Sequence, residues 1–154
     1  MIVQRQPYHV GMATDGLEAS MAALGGLFDL HWTAVRTGQA FPLANPQGPV
    51  EDTARRVFSL EGPLHVELLE GSPGSVWAPH RGLHVHHLAY WSDDLAGDCG
   101  DLEADGWSIE VANYGPDSAP SNFAYLTRPG EQRMELVDVG LQPGFLDLVC
   151  PGSK

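Results

Sequence analysis

Two histidines and two glutamates occupy matching places in two stretches of this chain. His9 and His87 are 78 residues apart, and after each of them an aspartate follows six residues later and a leucine eight residues later. Glu67 and Glu135 are 68 residues apart, and each lies inside an apolar stretch. Two imidazoles and two carboxylates are good ligands for a divalent cation, and the two carboxylate charges would neutralise a 2+ ion. The sequence therefore predicts one divalent metal bound by these four residues.

The repetition is what makes these four residues informative. A single histidine in a strand is more often a packed or surface side chain than a ligand, and a glutamate in a strand usually faces solvent. Here both histidines fall at one place of a repeat and both glutamates at another. A metal would also explain why Glu67 and Glu135 lie within apolar strands, where an uncompensated carboxylate is costly to bury.

The surrounding segments predict two modules with the same order of elements: a strand, a helix and three more strands. In the first module, alternating apolar residues indicate strands at 8–13, 31–36, 56–60 and 63–70, with a helix at 17–28 opened by the turn at 14–16. In the second, the corresponding elements are strands at 84–91, 107–111, 122–127 and 132–137 and a helix at 95–105. Pro42, Pro46 and Pro49 make residues 37–50 a loop or a broken hairpin.

The fold class predicted from this order is α+β, with two repeated βαβββ modules that form one curved mixed sheet in a single domain of residues 1–154. Module one covers about 6–71, a linker rich in Gly, Pro and Ser covers about 72–82, and module two covers about 83–140. The tail, 141–154, is expected to be irregular or to form a short edge element.

The alternation of side chains along a strand explains how four distant residues reach one place. Residues two apart share a face of the sheet, so His65 shares the face of Glu67, and Arg133 shares the face of Glu135. If the first and last strands of each module lie side by side, a pseudo-twofold axis between modules brings both histidines and both glutamates to the centre. On the same rule, His86 should lie on the face opposite His87.

Composition excludes several classes of partner. The net charge of −12, from 20 acidic and 8 basic residues, disfavours nucleic acid and anionic membranes. A local basic patch could still form from Arg55, Arg56, Arg81 and Arg133 and attract an anionic substrate. No apolar run approaches membrane-spanning length, and the first ten residues lack the pattern of a signal peptide, so we expect a cytoplasmic protein.

Four segments resemble the vicinal-oxygen-chelate superfamily, also called the glyoxalase/bleomycin-resistance/dioxygenase superfamily. They are YHVG at 8–11, HVELLEG at 65–71, HHLAYWSDDL at 86–95 and MELVD at 134–138. The last two look most similar to methylmalonyl-CoA epimerases and their glyoxalase-like relatives. The resemblance covers nearly the whole chain and implies metal ligands at His9, Glu67, His87 and Glu135. It also implies paired βαβββ modules around the metal and a possible homodimer.

The resemblance implies a lyase or isomerase that binds a small oxygenated substrate to one divalent metal, which can be Zn, Ni, Co, Mn or Fe. The metal would act as a Lewis acid while a carboxylate moves a proton on the carbon next to a carbonyl. Glu135 is the favoured base by analogy with the family. The other predicted site residues are Glu67 and His65 for proton transfer, Arg133 for an anionic group, and Trp77, Trp91, Phe123 and Tyr125 for an apolar pocket.

Three other functions fit parts of the same pattern. An Fe(II) ring-cleaving dioxygenase would use His9, His87 and Glu135 as its metal triad, although Glu67 would then fill a position that O₂ needs. A glyoxalase acting on a thiol adduct fits the four ligands as well as an epimerase does. An antibiotic-binding protein would suit the acidic charge but would not need four metal ligands.

Overall fold

A computed structural model describes residues 6–39 and 41–152, so the ends of the predicted tail and of the N-terminal segment lie outside the described residues. Within these residues the chain forms ten strands and three α-helices. The strands are β1 (His9–Ala13), β2 (Arg36–Gly38), β3 (Leu43–Asn45), β4 (Gly48–Val50), β5 (Ala54–Phe58), β6 (His65–Gly71), β7 (His84–Ser92), β8 (Ser108–Tyr114), β9 (Pro120–Thr127) and β10 (Met134–Asp138). The helices are α1 (Leu17–Phe28), α2 (Leu95–Ala104) and α3 (Gln142–Val149), the last preceded by a 3-10 turn at Val139–Leu141.

All ten strands belong to one mixed sheet, in the order β2-β5-β6-β1-β7-β10-β9-β8-β3-β4. The first half has the order β2-β5-β6-β1 and the second half has its mirror, β7-β10-β9-β8, with β1 and β7 antiparallel at the centre. In each half the first strand lies parallel to the last one, as β1 does to β6 and β7 to β10. The predicted α+β fold with a curved mixed sheet is confirmed.

The β3–β4 hairpin departs from this symmetry. It comes from the first half of the chain, but it pairs with β8 of the second half through Ala44 and Ala112. The segment 37–50, predicted as a loop or broken hairpin, therefore contains the β3–β4 hairpin, which extends the sheet beyond β8.

Helices α1 and α2 cover one face of the sheet, and the strand alternation leaves the opposite face for the candidate site. Leu68 packs with Leu17 of α1 in one apolar cluster, and Leu136 packs with Leu95 of α2 in another. Glu67 and Glu135, one residue earlier on the same strands, point to the other face, as the period of two requires.

Two predicted elements were wrong. Residues 31–36 do not form a strand: only Trp32 makes an isolated bridge, to Ser59, and β2 begins at Arg36. The tail is not irregular, because residues 142–149 form α3 with Pro143 in its first turn, where the missing N–H of proline is not needed.

Candidate metal centre

The pairing of β1 with β7 places each histidine beside a small residue of the other half. His9 lies opposite Ala89, and Gly11 lies opposite His87. On the outer neighbours of these strands, Glu67 pairs with Gly11 and Glu135 pairs with Ala89. The register therefore brings the four predicted ligands to one place, two from each half of the chain.

Gly11 is required by the close approach of the His87 ring. A Cβ atom at residue 11 would lie 2.0 Å from Cε1 of His87 and 2.4 Å from both of its ring nitrogens. Real Cβ atoms never come so close to a ring, so a side chain here would displace His87. The His87 ring therefore fits in this position only because residue 11 has no side chain.

The reactive atoms of the four residues converge. The Nε2 atoms of His9 and His87 are 2.8 Å apart, Oε2 of Glu135 lies 3.2 Å from each, and Oε2 of Glu67 lies 3.4 Å from each. All four side chains are buried. Ligand atoms of His9, His87 and Glu135 all lie within 4.8 Å of one another.

These separations fit a divalent ion. Nitrogen and oxygen ligands about 2.1 Å from one ion are roughly 3 Å apart when they are adjacent in an octahedral set. Oε2 of Glu135 is buried and accepts no hydrogen bond of good geometry within the described residues, although two imidazoles flank it. A bound cation would satisfy this oxygen. The residues present therefore fit the ion that the sequence predicts.

The electrostatics of the cluster favour ionised carboxylates. Burial raises the pKa of Glu135, but the imidazoles of His87 and His9, each 3.2 Å from its Oε2, outweigh it and bring the pKa to about 2. The pKa of Glu67 is lowered further by the same two histidines, again against desolvation. Burial lowers the pKa of His9, but the carboxylates of Glu135 and Glu67, 3.2 and 3.4 Å from its Nε2, raise it to about 9. Burial also lowers the pKa of His87, but the same carboxylates raise it above the ordinary value. Without metal, the cluster therefore favours protonated imidazole, and His9, with its pKa of about 9, holds a proton at neutral pH.

His86 lies beside His87, not on the opposite face, so that expectation was wrong. The register between β1 and β7 shifts between Gly11 and Met12, whose partners are His87 and Val85, which makes His86 an extra residue in a β-bulge. A bulge breaks the alternation of faces and can turn two consecutive side chains the same way. The Nδ1 atoms of His86 and His87 are 2.9 Å apart.

The contacts of His86 determine the tautomer of His87. Nε2 of His86 lies 2.8 Å from the carbonyl oxygen of Val76, which can only accept, so His86 donates from Nε2. Burial and then the nearby His87 lower the pKa of His86 to about 3, so its Nδ1 carries a lone pair. That lone pair accepts a hydrogen bond from Nδ1 of His87. Nε2 of His87 is then left as the free lone pair facing the carboxylates, as a metal ligand requires.

A cavity of about 340 Å³ opens onto the cluster. His9, Glu67 and Glu135 line it, and the predicted pocket residues Trp77, Trp91, Phe123 and Tyr125 all lie on its wall. Helix α3 covers one side, where Phe145 lies 5.3 Å from the ring of Phe58 and 5.0 Å from that of Tyr8. A substrate that reaches the cluster would therefore be surrounded by aromatic rings and shielded from water.

The structure does not bring two predicted site residues to this cavity. Arg133 donates to both carboxylate oxygens of Glu110 and to the carbonyl of His86, so its guanidinium is already occupied. His65 shares the face of Glu67 as predicted, but its Nδ1 lies 2.8 Å from the carbonyl oxygen of Ser59. Neither residue is among those that line the cavity.

Several lining residues were missed by the sequence reasoning. Leu141, Phe145 and Leu148 line the cavity from the C-terminal segment, and their spacing of four and three residues is typical of one face of a helix. That spacing was the signal that could have predicted α3. Arg36 and Phe58 had no such signal, since their positions depend on strand pairing across the first half.

Comparison with known proteins agrees with the architecture. The family described as the Glyoxalase/Bleomycin resistance protein/Dioxygenase superfamily matches residues 8–125, which is more than half of the chain. This chain belongs to that superfamily. The membership of the vicinal-oxygen-chelate superfamily that the four segments predicted is therefore confirmed.

Solved structures with the same fold include methylmalonyl-CoA epimerases. The enzyme from Mycobacterium tuberculosis is 18% identical, with a TM-score of 0.61 over 86% of this chain and 87% of its own. A variant of the Streptomyces coelicolor enzyme bound to 2-nitronate-propionyl-CoA is 17% identical, with a TM-score of 0.63 over 86% of this chain and 96% of its own. A mutant of 4-hydroxymandelate synthase from Streptomyces coelicolor is 14% identical, with a TM-score of 0.60 over 86% of this chain and 38% of its own. At these identities the likeness establishes the fold.

No curated protein sequence matches the chain. Across residues 6–39 and 41–152, no helix has both the length and the hydropathy needed to cross a membrane.

Proposed function

We propose that this protein is a divalent-metal-dependent lyase or isomerase of the epimerase or glyoxalase type. It would move a proton on the carbon next to a carbonyl of a small oxygenated substrate. The observation that carries the proposal is the convergence of two imidazole Nε2 atoms, 2.8 Å apart, with Oε2 of Glu135 at 3.2 Å and Oε2 of Glu67 at 3.4 Å from each, beside an aromatic cavity.

His9, Glu67, His87 and Glu135 would hold the ion. When bound, the ion would polarise the substrate carbonyl and so lower the pKa of the C–H group next to it. The protein supplies the rest: His86 selects the tautomer of neutral His87 whose Nε2 carries the lone pair, and the buried cluster keeps both carboxylates ionised. The aromatic rings that line the cavity would shield a bound substrate from water, which strengthens electrostatic interactions with it.

Glu135 is the carboxylate best placed to act as the base. Its Oε2 accepts no hydrogen bond from the described residues and it lines the cavity, so it can reach a substrate proton. Its pKa near 2 keeps it ionised, although a carboxylate held by a cation is a weak base until substrate displaces it. Glu67 lines the same cavity and is the alternative proton acceptor.

The test is hydrogen exchange at the acidic carbon. Metal-loaded protein is incubated in D₂O with candidate carbonyl substrates, and incorporation of deuterium is followed by NMR. Methylmalonyl-CoA is the first compound to assay, because it is bound in one of the solved epimerase structures with this fold. We expect Glu135→Gln to lower the exchange rate by at least about a hundredfold, the usual contribution of a positioned base. Glu103→Gln, on the exposed surface of α2, is the matched control and should exchange at the wild-type rate.

A ring-cleaving Fe(II) dioxygenase is the second candidate function. It is favoured by the compact set of His9, His87 and Glu135, which is the two-histidine, one-carboxylate arrangement of such enzymes. Glu67 counts against it, since its Oε2 lies 3.4 Å from both Nε2 atoms and would fill a position that O₂ needs. Oxygen uptake by iron-loaded protein in the presence of catechol, with no α-hydrogen exchange, would favour the dioxygenase.

A further inference from the structure

Two arginines at the mouth of the cavity face each other without an acidic partner. Arg36 on β2 and Arg56 on β5 are directly opposite in the antiparallel register, and both line the cavity. Like charges directly opposite each other across two strands destabilise a sheet. Among the described residues, no carboxylate forms an ion pair with either of them.

Three of the other described arginines do pair with carboxylates, in a chain with 20 acidic residues and 8 basic ones. Arg55 pairs with Glu18 and Glu70. Arg128 pairs with Asp105 and Glu131, and Arg133 pairs with Glu110. Arg36 and Arg56 therefore differ from these three arginines. Arg81 also forms no ion pair among the described residues, but it lies outside the cavity lining.

The distance from this pair to the cluster limits the size of the ligand. Arg56 is two residues from Phe58 on β5, and Phe58 pairs with Glu67 on β6, so Arg56 lies about 7 Å along the strand direction from the level of the cluster. The wall between them is apolar and includes Phe58 and Leu69, which also line the cavity. A ligand that reaches both ends must therefore have an apolar middle.

We infer that the substrate carries an anionic group, a carboxylate or a phosphate, which Arg36 and Arg56 bind while its carbonyl end lies at the cluster of His9, Glu67, His87 and Glu135. Guanidinium groups bind both anions through paired, charge-assisted hydrogen bonds. The inference rests on the proposed function, since both concern one cavity, and it defines the substrate as an anion with an apolar segment between its two polar ends.

The experiment measures binding of three probes by titration calorimetry. The probes are 3-phenylpropionate, its neutral amide 3-phenylpropionamide, and 2-phenylethyl phosphate. They are titrated into the wild-type protein, into the double variant Arg36→Gln/Arg56→Gln, and into Arg81→Gln. Arg81 is exposed and lies outside the cavity lining, so Arg81→Gln removes one positive charge of the same kind away from the cavity.

We expect wild-type protein to bind at least one of the two anions more tightly than the amide. The double variant should bind that anion at least about tenfold more weakly, because it loses charged hydrogen bonds, and should bind the amide as the wild type does. Arg81→Gln should leave all three affinities unchanged. Whichever anion loses more affinity identifies the group, carboxylate or phosphate, that the pair recognises.

Three results would overturn the inference: no anion binds to the wild type, the amide loses as much affinity as the anions, or Arg81→Gln weakens the anions equally. Metal content and unfolding temperature are measured on the same samples. A double variant that keeps its metal and its anion affinity refutes the anion site alone. A wild type that binds no metal refutes the proposed function and leaves the anion measurement to stand independently.

Discussion

The two histidines at the centre of the sheet occupy equivalent places in the repeat but are held in different ways. His87 donates a hydrogen bond from Nδ1 to Nδ1 of His86, and His86 in turn donates from Nε2 to the Val76 carbonyl. Nδ1 of His9 is buried and has no hydrogen-bond partner among the described residues. Tyr8, which stands where His86 stands in the repeat, instead packs edge-on against the His9 ring at 4.6 Å and stacks on Trp91 at 3.9 Å.

The two halves of the sheet therefore hold their central histidines by different interactions. The half that contains His87 fixes a tautomer and an orientation by hydrogen bonding, whereas the half that contains His9 holds its ring by aromatic packing. His9 can therefore take up and release a proton without breaking a hydrogen bond at Nδ1. Substitutions around the two histidines test this contrast, and Gly11→Ala has the largest expected effect.

Gly11→Ala should abolish metal binding, because the new Cβ would occupy the space of the His87 ring. We expect elemental analysis to find no stoichiometric metal bound to this variant, and we expect its unfolding temperature to be clearly lower than that of the wild type. Gly100→Ala on α2 is the matched control, since nothing lies within 4 Å of its added Cβ, and alanine there should leave stability equal or slightly higher. Full metal content in Gly11→Ala would show that His87 does not need its present position.

The protonation of His9 should make metal affinity depend on pH. Its pKa is about 9 in the metal-free fold against 6.5 for an ordinary histidine, so its contribution to stability is complete below 6.5 and is lost as pH rises through 9. A metal must displace this proton, so its affinity should rise about tenfold per pH unit between about pH 7 and 9.

Calorimetry in buffers of different ionisation enthalpy would count the protons released per ion. About one proton released near pH 8 supports His9 as the protonated partner. A pH-independent affinity with no released proton would contradict the contrast between the two histidines.

His86→Phe should weaken metal binding by about 10–100-fold, the usual cost of losing the hydrogen bond that orients a metal-bound histidine. Tyr8→Phe, at the equivalent place in the other half, should leave the affinity nearly unchanged, since the ring packing is kept. Competition with a chelator of known affinity would measure both. Equal effects of the two substitutions would mean that the halves hold their histidines in the same way.

Phe145→Ala has the smallest expected effect and tests the aromatic support of His9. Phe145 is half-buried, and its ring lies 5.3 Å from that of Phe58 and 6.5 Å from that of His9. We expect a loss of about 2 kcal/mol in the free energy of unfolding, less than for a fully buried phenylalanine, with metal affinity only slightly reduced. Leu146→Ala, which is 47% exposed on the same helix, should change stability by less than about 0.5 kcal/mol. Denaturant titration distinguishes the two.

The sequence was informative wherever the period of two holds along a strand. The four ligands could be placed on neighbouring strands because each lies in a run of alternating residues, which for His87 begins at His87 itself, after the bulge. Helices α1 and α2 were predicted with nearly their observed bounds. His86 could not be placed, since a bulge shifts the register and no residue pattern marks it. Arg36 and Arg56 meet through a pairing between strands, which alternation within one strand does not determine.

Metal quantification on purified protein tests the central claim most directly. Wild-type protein should hold one divalent ion per chain. His87→Ala and Glu135→Ala should hold none while remaining folded by circular dichroism. His84→Ala should keep the wild-type content, because His84 lies on the same strand as His87 but, among the described residues, makes hydrogen bonds only to the backbone at Arg81 and Gly82. A wild type without metal, or variants of His87 and Glu135 that retain it, would contradict the account.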